Sequence, residues 1–177
     1  MTDLPGGLRL VEETGGLELR SLSERPGQGV RATPFAALDR GAHATSSHPL
    51  GRILRGVEGP VIDATAGLGA DAGVAAALGR DVLCLERDRV VHALLADALR
   101  RAESEQAQAV AARMHLRLAE ACETLAKLPG GWQEAGVVML DPMFPPRRRS
   151  SALPPKGMQR LRELLETGPT EDVGRLL

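Results

Sequence analysis

The stretch "DATAGLGAD", Asp63–Asp71, sets a carboxylate on either side of two glycines. An apolar "PVI" precedes it and a run of small residues follows. That order reads as a strand, a tight turn and the start of a helix. Gly67 and Gly69 let the backbone come close to a ligand, and the free N–H groups of the first helical turn face it. Residues 67–72 satisfy GxGxxA, a dinucleotide pattern. Yet Asp63 before the glycines and Asp71 in the first helical turn would repel a pyrophosphate. They suit a cationic ligand, such as the methionine part of S-adenosylmethionine. The competing reading is a plain strand–helix turn with Asp71 against the helix dipole. Glu86 ends "DVLCLE", 23 residues after Asp63. An acid at a second strand tip can accept from both hydroxyls of a ribose, which fits NAD and S-adenosylmethionine alike. At the third tip, "LAEAC", the backbone near Ala121 and Cys122 can meet an adenine edge, as can the carboxylate of Glu120 or Glu123. A simple turn explains that stretch equally well.

"VVMLDPMFPPRRR" runs from Val137 to Arg149. Its Asp141-Pro142-Met143-Phe144 is a variant of the (D/N)PP(Y/F) tetrapeptide of amino-methyltransferases. An exocyclic amine on a base is a poor nucleophile, because its lone pair is delocalised into the ring. The Asp141 side chain and a nearby backbone carbonyl, that of Pro142, can accept both amino hydrogens and align the lone pair for in-line displacement. Phe144 can stack on a base drawn out of its helix, and the prolines preorganise the loop. A proline-rich turn with Phe144 in the core is the alternative. Arg147, Arg148 and Arg149 can hold phosphates beside that pocket. Against this, the chain has 20 arginines and 2 lysines, a bias that a GC-rich genome explains by itself. Phe35, Trp132 and Phe144 are its only aromatic residues, too few for a broad stacking platform.

The elements that position these residues follow from the pattern. "LRLVEETGGLELRSL" alternates around Gly15-Gly16 and predicts a β-hairpin. Residues 23–48 read as a connector, and "PLGRILRGV" as a short helix opened by Pro49. From Pro60, four short strands alternate with helices, which predicts an α/β fold with an open, mostly parallel, doubly wound sheet. Ligands then bind at the carboxyl ends of the strands, where Asp63, Glu86, Glu120 and Asp141 fall. Asp88 is positioned to cap the helix after the second strand. The expected domains are 1–58, hairpin and connector, and 59–177, the cofactor-binding part. The sheet reads as cut short after its fourth core strand. The exposed edge this leaves suggests a homodimer.

The chain of 177 residues has a net charge of -1, so no global field draws it to nucleic acid or to a membrane. Its 2 cysteines and 4 histidines show no metal-ligand spacing, and no metal is expected. No leader or membrane span is evident, and a cytoplasmic location is expected.

Together "VIDATAGLGAD", "LERDRVVHALLADAL" and "VVMLDPMFPPRRRSSALPPKGM" resemble the RsmJ family, over roughly Val61 to Leu177. That resemblance implies an S-adenosylmethionine-dependent methyltransferase acting on a guanine N2 in 16S ribosomal RNA, with S-adenosylhomocysteine as product. The partner would be ribosomal RNA or a precursor of the small ribosomal subunit. Carried over residue by residue, the family's cofactor contacts fall on Ala70 and Asp71, on Glu86 and Arg87, and on Cys122 and Glu123. With Asp63, Thr65, Gly67, Gly69 and Asp141 they form the expected cofactor set. Asp141 is the implied catalytic aspartate, with Pro142 and Phe144 beside it, and Lys156 joins the arginine run as an RNA contact. Ala70 stands where an arginine is usual, and Cys122-Glu123 where two serines are. "ATSSHPLGRILRG" departs from the family's glycine-rich upstream run. Two other classes compete. An NAD-type oxidoreductase accounts for the glycines and Glu86, but leaves Asp63 and the Asp141 loop unexplained and lacks a residue set for hydride chemistry. A non-catalytic, truncated cofactor-binding module accounts for the short sheet.

Overall fold

The computed structural model describes residues 2–39, 48–141 and 156–167. Contacts group the chain into two units: Met1–Arg31 with Pro142–Leu177, and Ala32–Asp141. The sequence places the boundary at 58, whereas the contacts put the connector residues from Ala32 onward with the parallel sheet.

In the first unit the expected hairpin gains a strand. β1 (Thr2–Leu4), β2 (Leu8–Glu13) and β3 (Gly16–Ser21) form an antiparallel sheet in that order. The β2–β3 register runs from Leu8 opposite Ser21 to Glu13 opposite Gly16, around a two-residue turn. Alternation separates two faces. Leu8 and Leu19 lie on one and are fully buried. α7 (Lys156–Thr167) packs against β3 and buries Leu161 and Leu164. The other face carries Glu18, which is 0% exposed. The loop after β3 folds over this carboxylate. The N–H groups of Gly29 (2.9 Å) and Gly27 (3.0 Å) and the Arg31 guanidinium (2.9 Å) all donate to it.

The second unit holds the parallel sheet, β4 (Val61–Asp63), β5 (Val82–Glu86), β6 (Met114–Leu118) and β7 (Val137–Met139). Their order is β6-β5-β4-β7, and every pairing is parallel. The chain steps outward from β4 to β6, then crosses back to β7 on the far side of β4, which sets the topological reversal at the tips of β4 and β7. Every residue of β4 and β5 is buried, as expected for strands flanked on both sides. α1 (Ala36–Asp39) lies within the expected connector, and α2 (Pro49–Leu54) is opened by Pro49 as expected.

α3 (Ala70–Ala77) is built of small residues because the chain near Pro34 lies directly on it. A Cβ at Gly73 would run into the Pro34 carbonyl. α4 (Arg89–Arg100) buries Val91, Leu94 and Leu95. Its cap is Asp88, which accepts from Val90 N–H at 2.9 Å and Val91 N–H at 3.0 Å, a pair of bonds worth about 1 kcal/mol. α5 (Glu105–Ala111) and α6 (Ala121–Ala126) complete the described helices of this unit. Two further side chains pin the loops under the sheet. Arg80 donates to the carbonyls of Leu54 (3.0 Å), Gly59 (3.2 Å) and Val57. Trp132 meets His115 edge-on, at 5.2 Å between ring centroids, where the α6–β7 loop crosses beneath the sheet. No described helix is long and apolar enough to cross a membrane.

The Glu18 cluster gives a clear test. Burial opposes ionisation, but the donors of Gly29, Arg31 and Gly27 together hold the Glu18 carboxyl below its ordinary value. Its stabilising contribution is therefore present above the ordinary glutamate range and lost as pH falls through the lowered folded value. Glu18→Gln removes the charge that Arg31 faces and is expected to cost about 3 kcal/mol, read as a lower denaturation midpoint. An unchanged midpoint would show that the loop does not depend on this carboxylate.

Candidate active site at the strand tips

The carboxyl end of the parallel sheet is built by the turn after β4. Ala64 N–H donates to Met139 of β7 and Ala66 N–H to Leu85 of β5, both at 3.0 Å. The turn is thus laced to both neighbouring strands before α3 begins. Gly69 caps α3 with φ 81°, a left-handed conformation that favours glycine. A Cβ there would also lie 2.5 Å from Leu95 Cδ1.

Thr65 sits at the centre of this turn. Its N–H donates to Asp63 Oδ1 at 3.1 Å, and its Oγ1 accepts from the Asp141 N–H at 2.8 Å. One residue therefore joins the acid at the tip of β4 to the residue that opens the loop after β7. The sequence offers Thr65 as a cofactor contact; the structure shows its hydroxyl bound to the Asp141 backbone.

Asp63 is 4% exposed and accepts this single hydrogen bond among the described residues. Burial pushes its carboxyl up to about 7, and the negative charges of Asp71, Glu86 and Asp141 add to the rise, while the Thr65 N–H opposes it. Glu86 is 8% exposed, and its two oxygens accept from Gly67 N–H (2.9 Å) and Asp88 N–H (2.8 Å). Burial still raises its carboxyl above the ordinary range. Asp71 lies in the first turn of α3, where the helix dipole favours a negative charge. Asp141 is exposed.

The other expected contacts are spread around these four. Ala70 is exposed at the start of α3. Arg87 reaches Glu120 at 3.4 Å and so ties the tip of β5 to the tip of β6. Cys122 is half-buried and Glu123 exposed in the first turn of α6. Pro142, Phe144, Arg147, Arg148 and Arg149 lie outside the described residues; Lys156 opens α7, and its side chain is not among those described. Cys84, beside Asp63 in the sheet, is fully buried with its thiol pushed up by burial. A cleft of about 530 Å³, lined by Arg80, His115 and Trp132 among others, lies at the amino ends of the strands, away from these acids.

This donor set fits S-adenosylmethionine. Buried carboxylates with few partners favour a cation, the glycine turn leaves room for a ligand backbone, and Glu86 stands where a ribose would lie. Reversal of strand order at β4, a glycine turn and an acid on the next strand define an adenosine-cofactor α/β fold, and the buried Asp63 before the glycines favours the methyltransferase type. A family model described as "Putative SAM-dependent methyltransferase" matches residues 41–177. A relative from Hahella chejuensis, "Ribosomal RNA small subunit methyltransferase J", is 52% identical over 63% of this chain and 40% of its own length. Relatives of the same name from Chromohalobacter salexigens and Aeromonas hydrophila are 46% and 40% identical. They are matched over 71% and 99% of this chain, and over 48% and 71% of their own lengths. A crystal structure of a SAM-dependent methyltransferase from Neisseria gonorrhoeae superposes with a TM-score of 0.61 at 31% identity, over 81% of this chain and 60% of that one. The chain belongs to the ribosomal RNA small subunit methyltransferase J family of SAM-dependent methyltransferases. It spans 40% and 48% of the lengths of the first two relatives.

A carboxyl raised above its unfolded value favours the fold while protonated, and that benefit is lost as pH rises through about 7. Asp63→Asn keeps the shape without the charge. It is expected to gain about 2–3 kcal/mol over the wild type between pH 5 and pH 8 in the ligand-free protein. Thermal melts across that range check this; parallel curves for the two proteins would mean that Asp63 is ionised throughout.

Proposed function

We propose that the protein transfers a methyl group from S-adenosylmethionine to the exocyclic N2 amine of a guanine in 16S ribosomal RNA. The substrate is ribosomal RNA or a precursor of the small subunit, in the cytoplasm. The single observation that carries the reading is the Thr65 bridge, which holds Asp141 beside the buried acids of the cofactor turn.

When bound, S-adenosylmethionine would supply an electrophilic methyl to the amine nitrogen, leaving a neutral thioether, while the amine would lose a proton to solvent. The residues of the chain do the positioning. Asp141 accepts one amino hydrogen and the Pro142 carbonyl the other, which aligns the nitrogen lone pair. Phe144 stacks on the extruded base. Glu86 accepts from the ribose, while Asp71, Ala70, Arg87, Cys122 and Glu123 border the cofactor. Arg147, Arg148, Arg149 and Lys156 meet phosphates. Pairing of two copies along the outer edge of β7 belongs to the same proposal, because among the described strands β7 pairs with β4 alone.

Calorimetric titration with S-adenosylhomocysteine, with NADH as control, is expected to show saturable binding of the former alone. NADH binding would move the chain to the oxidoreductases. Asp141→Ala is expected to abolish methyl transfer to small-subunit RNA while cofactor affinity stays within about tenfold; turnover near the wild-type rate would remove Asp141 from the reaction.

A further inference from the structure

We propose that Asp63 makes the site select the cationic cofactor over the neutral thioether left by methyl transfer, through a proton that it gives up when the cation binds. The inference rests on the cofactor reading above and concerns regulation of that same site. Four separate elements bring carboxylates to the same, carboxyl end of the sheet: Asp63 from β4, Asp71 from the first turn of α3, Glu86 from β5 and Asp141 after β7. Among the described residues, the ion pairs are made by other acids, and none of these four has one. The remaining neighbours of Asp63 across the sheet are Cys84 of β5 and Met139 of β7. Cys84 stays a neutral thiol, because burial disfavours its thiolate. Nothing described supplies the positive charge that this cluster would need to ionise fully.

Like charges held near one another, two of them buried, do not all ionise at once. The group with the least support keeps a proton, and that group is Asp63. Glu86 has two backbone donors, Asp71 has a helix N-terminus and Asp141 has solvent. Asp63 has one donor and almost no solvent. S-adenosylmethionine carries a sulfonium and an ammonium against one carboxylate. S-adenosylhomocysteine has lost the sulfonium charge and is neutral overall. Binding of the first drives the proton off Asp63 to solvent. After transfer the charge is gone, Asp63 takes a proton back from solvent, and the product is held less firmly.

Titration calorimetry on the full 177-residue chain tests this. Each ligand is titrated separately at pH 6, 7 and 8 in buffers of different ionisation heat, so that released protons are counted. S-adenosylmethionine is expected to release about half a proton or more near pH 6.5, and S-adenosylhomocysteine clearly less. The ratio of the two dissociation constants, product over cofactor, should grow about fivefold from pH 6 to pH 8. In Asp63→Asn both effects should vanish; in Asp71→Asn the proton count should remain, with its midpoint at lower pH. Equal proton release by both ligands, or a ratio that does not change with pH in the wild type, overturns the inference while leaving the cofactor reading intact. Binding of neither ligand by the folded wild type overturns both.

Discussion

Burial of β4 between two parallel partners is the constraint from which the site follows. Val61, Ile62 and Asp63 are all buried, so this strand has no freedom to slide or turn. A shift of one residue would exchange the side chains between its two packed faces and move Asp63 off its level. The register therefore carries Asp63 to a fixed level beside Cys84 and Met139. Because strand order reverses at β4, the tips of β5 and β7 open on either side of that level. The turn after β4 bonds to both neighbours, and Asp141 is drawn in by Thr65.

Three carboxylates with little exposed surface show how local donors help decide whether a group keeps its charge. Glu18 is the most deeply buried, yet its carboxyl is held below its ordinary value. Two backbone N–H groups and a guanidinium face it, and a charge-assisted bond of that kind is worth roughly twice a neutral one. Glu86 has backbone N–H donors but no guanidinium, and burial prevails. Asp63 has one donor and three acidic neighbours, and rises furthest into the neutral range. Glu18 is thus arranged to be stable by itself. Asp63 is arranged so that a cation completes it.

Much of the parallel sheet was legible because short apolar runs between glycines, caps and prolines leave few other folds. Asp88 as a cap and the hairpin around Gly15-Gly16 follow from local chemistry, and the structure holds both. The third strand of the small sheet was not legible. β1 is three residues long, and its pairing with β2 comes from the neighbouring strand rather than from its own pattern. The grouping of residues from Ala32 onward with the parallel sheet was hidden for a similar reason. Gly73 reads as a weak helix residue, and only the passage of Pro34 over α3 explains it.

For the site, residue types and spacing alone placed Asp63, Glu86 and Asp141 at strand tips, because a parallel βα order sends every strand end to one edge. Sequence could not reveal that Thr65 would face Asp141, 76 positions further on, or that Arg87 would bond to Glu120 instead of standing free at its tip. Nor could it rank the acids by charge. Ionisation depends on how many donors reach each carboxylate and how much water is excluded, and both quantities exist only once β4 is enclosed by its neighbours.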